Sequence, residues 1–348
     1  MPRVVGIDPG TISIDLCGLD DGQLSLDHSI PTAEALADPS RLLALLQDPQ
    51  PDLIAGPSGY GLPLVTADAV TDEDLRLAVL AAPGEDGGIG GLGRLARELG
   101  ASGLPVVFTP GVIHLDTVPP HRKLNRVDLG TADKVAAAAL AIADQSRRLD
   151  CPPRETAFIL LETGGAFTAA VAVQGGRIVD GVGGTSGPMG WRSAGAWDGE
   201  VAYLAGTVTK ELLFRGGARY AAERPGGGGP EVALAAFIES AVKAVRALLV
   251  AAPAPNEILL SGRALELPGV EARLRTGLDR LAPVRRLQGF AKVAKAAAQG
   301  AAILADGLAD GRWSELVDTM RLRAASGTVL DHLVVISPAE ARRRLGLD

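Results

Sequence analysis

Gly6-Ile7-Asp8-Pro9-Gly10-Thr11 decides how this 348-residue chain is read. Residues 3–7 form an apolar run that reads as a buried strand, and the strand delivers Asp8 to a Pro-Gly turn. Pro9 presets one dihedral, and Gly10 tolerates the positive φ that a type II turn requires. Such a turn exposes backbone N–H groups, and Thr11 and Ser13 add hydroxyls. Together they can wrap phosphate oxygens as backbone nests do. A carboxylate beside phosphates is repulsive alone, but it makes sense if Asp8 holds Mg²⁺ directly or through water. The plain alternative is an ordinary hairpin with an incidental Asp.

The element has an echo. After the first strand, residues 12–19 and 23–30 continue a meander through the turn Asp20-Asp21-Gly22. Residues 158–162, 166–173 and 177–182 repeat it, with turns at Thr163-Gly164-Gly165 and Gln174-Gly175-Gly176. Glu162 closes the second apolar strand as Asp8 closes the first, so Glu162 is a second candidate for metal. Thr163, Gly164 and Gly165 are candidates for phosphate. Two such loops facing each other would clamp phosphates from both sides. A third strand, 257–260, ends in Ser261-Gly262-Arg263, where an adenine ring can pack against backbone. Helical patterns over 40–47, 89–100, 131–147, 231–251 and 291–308 alternate with these strands, and residues 75–82 fit helix or strand equally. Thr131 is placed to cap the third of these helices. Mixed strands and helices in two hairpin-led halves argue for an α/β protein with two similar lobes.

Composition narrows the function. A net charge of -7 with no basic stripe argues against nucleic-acid binding. Cys17 and Cys151 are far apart and form no Cys-x-x-Cys pair, which argues against zinc. The amino terminus begins with a strand pattern rather than a leader, and no apolar run approaches the ~20 residues of a membrane span. The expectation is a soluble cytoplasmic protein. Gly88-Ile89-Gly90-Gly91-Leu92-Gly93 matches a dinucleotide fingerprint by letter. It follows the loop-like Pro83-Gly84-Glu85-Asp86 instead of a strand, and the next strand ends without an acid.

Two further stretches carry a resemblance: Gly56-Pro57-Ser58-Gly59-Tyr60-Gly61-Leu62-Pro63 and Asn125-Arg126-Val127-Asp128-Leu129-Gly130-Thr131-Ala132-Asp133-Lys134. Through them the chain resembles the predicted butyrate kinase family of unknown function. That family lies within the acetate and butyrate kinase branch of the sugar kinase, heat-shock chaperone and actin ATPases. The resemblance covers nearly the whole chain. It implies a two-lobed actin-like ATPase (ribonuclease H-like) fold with duplicated mixed-sheet domains. Residues 1–130 would form the amino-terminal lobe, with 312–348 returning to it, and residues 131–311 the second lobe. It also implies an ATP- and Mg²⁺-dependent phosphotransferase acting on a small carboxylate, and a homodimer.

The family's Asn-Pro-Gly-Ser first loop is matched by Asp8-Pro9-Gly10-Thr11. Gly164-Gly165-Ala166 leads through Gly183-Gly184-Thr185 to Arg192-Ser193-Ala194-Gly195. By resemblance, Arg192 would contact the phosphoryl group in flight, a role suited to a guanidinium fork. Three positions depart from the pattern. Asp15 stands where the acyl-phosphate kinases have Lys, Asp128 stands where they have His, and the stretch from Gly56 to Gly59 lacks their Arg. These departures leave the nucleotide site intact and put the carboxylate in question. Asp128 could instead act as base toward a hydroxyl acceptor, as in sugar kinases, hold metal, or simply cap the next helix. His114 and His121 are candidates to line the cleft. The site so assembled has Asp128 and Arg192 as catalytic residues and Asp8 and Glu162 for metal. Gly10, Thr11, Ser13, Thr163, Gly164, Gly165, Ser261, Gly262 and Arg263 would hold the nucleotide. The competing reading is an ATP-binding switch or scaffold of the same fold without kinase activity.

Overall fold

Apolar alternation and tight turns write the same motif twice. In the computed structural model, which describes residues 2–10, 12–56, 58–82, 92–226 and 228–347, the first meander consists of β1 (Arg3–Pro9), β2 (Ser13–Asp20) and β3 (Gln23–Pro31). β4 (Leu53–Gly56), β5 (Val65–Thr66) and β6 (Val106–Phe108) complete its sheet. The order is β3-β2-β1-β4-β6-β5, with β1, β4 and β6 parallel and the meander antiparallel. The second sheet holds β7 (Ala157–Thr163), β8 (Thr168–Gln174), β9 (Arg177–Val182), β10 (Glu257–Ser261) and β11 (Val284–Arg286). Its order is β11-β10-β7-β8-β9, again a meander whose first strand pairs in parallel with the strands that follow. The duplication expected from sequence is therefore present strand for strand, with β5 as an additional edge.

Helices Ala132–Leu149 and Ala296–Leu308 lie between the sheets. They are buried on every side from Val135 to Gln145 and from Ala297 to Gly307, as expected where a helix has no polar face. Their small residues join Val4, Cys17 and Leu19 of the first sheet to Phe158, Leu160 and Val171 of the second in one core. Each sheet covers its other face with its own helices. Pro39–Gln47, Asp72–Val79 and Leu92–Ala101 cover the first, and Gly229–Leu248 and Val270–Leu278 the second.

Close approach is what the glycines provide here. A Cβ on Gly6 would lie 2.2 Å from the Ala302 nitrogen, and one on Gly300 would lie 1.7 Å from the Ala136 oxygen. The Ala296–Leu308 helix thus rests directly on β1 and on its partner helix, although sequence placed it with the second lobe. The tail also reaches the first lobe, through Arg342 to Glu73 at 2.7 Å and Arg76 to the Gly346 carbonyl at 2.9 Å.

Several local expectations change. Residues 75–79 resolve as helix, in a segment begun at Asp72 by a capping box of Thr71 and Asp74 at 3.1 and 2.9 Å, and residues 80–82 lie beyond its left-handed C-cap at Leu80. Thr131 does not cap its helix, since its hydroxyl donates to the Asp133 carboxylate. The helix expected from residue 291 starts at Ala296, because Asp27 accepts the N–H groups of Lys292, Val293 and Ala294 and holds them as a loop. Gly10 is not in the positive-φ region. It is required by contact instead, with a Cβ there 2.8 Å from the Ser13 oxygen. Thr11 and residues 88–91 of the fingerprint-like stretch lie outside the described residues. No helix among the described residues is long and apolar enough to cross a membrane.

Candidate active site

The carboxyl ends of β1, β7 and β10 meet at one cavity between the sheets, where open α/β sheets commonly place ligands. The first loop contributes Asp8, Pro9 and Gly10, the second Glu162, Gly164 and Gly165, and the third strand end Gly262 and Arg263. In the second sheet this convergence is a matter of register. Ser261 pairs with Glu162, and Thr163 Oγ1 donates to the Ser261 carbonyl at 3.2 Å. Gly262 then turns away at φ +105°, with a Cβ position only 2.2 Å from the Thr163 oxygen. A side chain there would separate the two loops.

Both central helices begin at this cavity without a capping side chain, and at the first of them the Ala132 N–H donates to the Gly59 carbonyl at 3.0 Å and the Lys134 N–H to the Thr131 carbonyl at 2.8 Å. Each helix start also brings a lysine to one of the acidic loops. Lys134 Nζ lies 2.6 Å from Glu162 Oε1 and also bonds Asp133, while Lys295 Nζ lies 4.0 Å from Asp8 Oδ2. Sequence reasoning passed over both lysines. Lys134 sat at the end of a quoted stretch, but Lys295 carried no local signal.

Electrostatics separates the two loops. Burial alone would discharge Lys134, but the Asp133 and Glu162 carboxylates outweigh it and hold the ammonium firmly protonated. Asp133 is held low, its burial offset mainly by Lys134. Lys134→Met should therefore strand two carboxylates and lower stability by about 3 kcal/mol. Urea unfolding measures this, and a second change, Glu162→Gln, should recover part of the loss.

Asp8 differs. Burial pushes its carboxyl up to about 7, against the opposing pull of Lys295. None of the described residues donates a hydrogen bond to that carboxylate, which faces the cavity. A lone carboxylate beside open space suits a magnesium ion that takes most of its ligands from water and phosphate. It does not suit an all-protein cage, since no group of three metal-binding side chains exists among the described residues. Glu162, the other candidate for metal, has one carboxylate oxygen bonded to Lys134 at 2.6 Å.

Asp128 lines the cavity but its carboxylate is occupied. It accepts from Thr185 N at 2.9 Å, Thr185 Oγ1 at 2.8 Å and Gly130 N at 3.2 Å. Burial raises its carboxyl despite these donors. It thus pins the turn after β9 to the segment before the Ala132–Leu149 helix, and it does not cap that helix. Arg192 is not among the residues that line the cavity. Its backbone is fastened on both sides, N–H to the Ala166 carbonyl and carbonyl to the Gly217 N–H. The cationic lining comes from Lys134, Lys210, Arg263 and Lys295 instead.

Ser13, Thr163 and Ser261 stand behind the lining and hold its parts together. The amides of the loops are partly spent: Gly10 N–H bonds Ser13 O at 2.9 Å and Gly164 N–H bonds Phe167 O at 2.8 Å, each within its own turn. Neither His114 nor His121 reaches the cavity. His114 is buried, which pushes its imidazole down to about 4, and His121 is exposed.

The lining also includes Lys210, 5.4 Å from the Tyr60 ring centroid, and Phe214, which meets Phe167 of the second loop edge-on at 4.9 Å. Ala78, Val79 and Leu213 are further apolar members of the same lining.

The duplicated sheets, the two helices between them and the cavity at the strand ends define a two-lobed actin-like ATPase fold. An acetate kinase from Entamoeba histolytica is similar over 80 % of this chain and 87 % of its own, at 11 % identity and a TM-score of 0.58. A propionate kinase from Francisella tularensis subsp. tularensis is similar over 86 % and 99 %, at 13 % identity and the same TM-score of 0.58. An acetate kinase from Porphyromonas gingivalis is similar over 81 % and 88 %, at 15 % identity and a TM-score of 0.55. At these identities the likeness is one of fold. Residues 6–335 match the family described as protein of unknown function (DUF1464), and the chain belongs to that family. None of the curated proteins matches its sequence.

Proposed function

We propose that the protein is an ATP- and Mg²⁺-dependent phosphotransferase whose acceptor is a small carboxylate. The observation that carries this reading is the cavity that gathers both acidic loops, the Gly262–Arg263 strand end, and the apolar Ala78, Val79 and Leu213 with Lys210. Nucleotide phosphates would lie between the loops, facing the two uncapped helix starts. The adenosine would follow the Thr163-Gly262 contact toward Arg263. Magnesium would be held by Asp8, directly or through water, and would neutralise phosphate charge. Acceleration would come from positioning and charge stabilisation, as is general for phosphoryl transfer.

The acceptor chamber supports a carboxylate with a short apolar tail. Lys210 would take the anion, the part played by an Arg that is missing between Gly56 and Gly59, and Ala78, Val79 and Leu213 would face the tail. Acetate and propionate kinases of the same fold add weight to this acceptor class. The occupied carboxylate of Asp128 counts against its service as a base toward a hydroxyl.

ADP formation by the purified protein with MgATP, measured against short carboxylic acids and polyols, tests the proposal. We expect a carboxylic acid to raise turnover, and Lys210→Ala to raise the KM for that acid about tenfold or more with the KM for ATP unchanged. Turnover raised only by a polyol would move the role back to Asp128. ATP binding with no acceptor effect would leave a switch or scaffold.

A further inference from the structure

Lys295 is held in place with more bonds than its position at a helix start demands. Asp15, which is 1 % exposed, accepts the Lys295 backbone N–H at 3.1 Å and lies 3.1 Å from its ammonium. Ser29 Oγ fixes Asp15 in turn at 2.6 Å. Asp27 accepts the N–H groups of Lys292, Val293 and Ala294 at 2.8, 3.0 and 2.7 Å. Two carboxylates of the β2–β3 hairpin therefore set the path of residues 292–295 and bring one ammonium to the first loop. There Nζ donates to Ser13 Oγ at 2.8 Å and would lie 3.0 Å from a Cβ on Gly10.

The two helix-start lysines are not equivalent. The Lys134 side chain is 15 % exposed and shared between two carboxylates. The Lys295 side chain is 38 % exposed, lines the cavity, and has Asp15 as its one close carboxylate. An ammonium has three donors. Ser13 Oγ accepts from one at 2.8 Å, Asp15 balances the charge as an ion pair at 3.1 Å, and the bond to Ser13 O, at 3.4 Å, is long enough for a ligand oxygen to replace. The Gly10 amide is spent inside its turn, so among the described residues this ammonium adds a donor for phosphate at the first loop.

We infer that Lys295 is a phosphate-binding residue whose ammonium takes an oxygen of the terminal phosphate of a bound nucleoside triphosphate, with Asp15 and Asp27 as its positioning residues. The inference rests on the phosphotransferase reading above. Because the ammonium also sits 4.0 Å from Asp8, it offsets the repulsion between that carboxylate and phosphate even without a divalent ion. Its contribution is therefore largest when metal is withheld.

Calorimetric titration with ATP and with ADP, each in Mg²⁺ and in EDTA, tests this on the full chain. Lys295→Met is expected to weaken ATP roughly tenfold more than ADP, as the loss of one charge-assisted hydrogen bond implies, with the larger effect in EDTA. Lys295→Arg should keep most of the affinity. The double variant Asp15→Asn/Lys295→Met does not leave Asp15 as a buried carboxylate without its cation and should repeat the ATP-selective loss, which covers the case in which the single variant folds poorly. Equal weakening of ATP and ADP, or none, overturns the inference while leaving the phosphotransferase reading standing. A wild-type protein that binds neither nucleotide overturns both.

Discussion

Gly300→Leu is expected to leave no folded protein, and Gly300→Ala to cost more than about 3 kcal/mol in urea unfolding. The atom that a Cβ would meet at 1.7 Å is the carbonyl oxygen of Ala136. That oxygen belongs to the backbone of a buried helix and cannot rotate away as a side chain can. Helix propensity points the other way, since Gly to Ala inside a helix should gain about 1 kcal/mol. The sign of the measured change therefore decides which effect wins. Gly277→Ala is the matched comparison. Its Cβ would meet a Val242 methyl at 2.8 Å, the movable end of a side chain, and the two remaining contacts are at 3.9 Å. That variant should lose little or nothing. If Gly300→Ala proves as stable as the wild type, the helices do not cross as closely as described, and the joint core would have to be redrawn.

Asp8→Asn is expected to abolish turnover and yet stabilise the protein at alkaline pH. Burial raises the Asp8 carboxyl to about 7, against about 3.9 in an unfolded chain. Between those values the folded state binds more protons than the unfolded state, so stability falls as pH rises through the window and is flat above it. An Asn carries no such burden. The gain from the substitution should be small at pH 5 and reach roughly 2 kcal/mol at pH 8, read as the difference in urea midpoints. Among the described residues of the first loop the same carboxylate is the proposed ligand for magnesium, so the stabler variant should be the inactive one. A variant less stable than wild type at pH 8 would show that Asp8 is paired in the folded protein, contrary to the geometry described.

Much of this architecture could be read from local pattern. The meanders are legible because alternation and Gly turns are properties of adjacent residues, and Arg177–Val182 falls where expected. The echo of Asp8 in Glu162 located both loops. What sequence could not supply was partnership across the fold. Glu162 looked free until Lys134, 28 residues earlier, proved to be bound to it. Asp15 looked like the loss of a lysine until Lys295, 280 residues away, proved to lie beside it. Arg192 was carried over by position in a motif, and position does not fix where a half-buried side chain ends. The short β5 and β11 were missed because strands of two and three residues carry too few positions for a period to show.

The packing of the Ala296–Leu308 helix on β1 also bears on how the chain is made. Gly6 emerges from the ribosome well before Ala298 to Ala302, which cover it. At the usual ~5–20 residues per second, the inner face of the first sheet waits roughly 15–60 s for its cover. Throughout that interval an apolar surface of Val4, Cys17 and Leu19 stands open. The first strand is therefore sealed on that face only when residues far along the chain have been made.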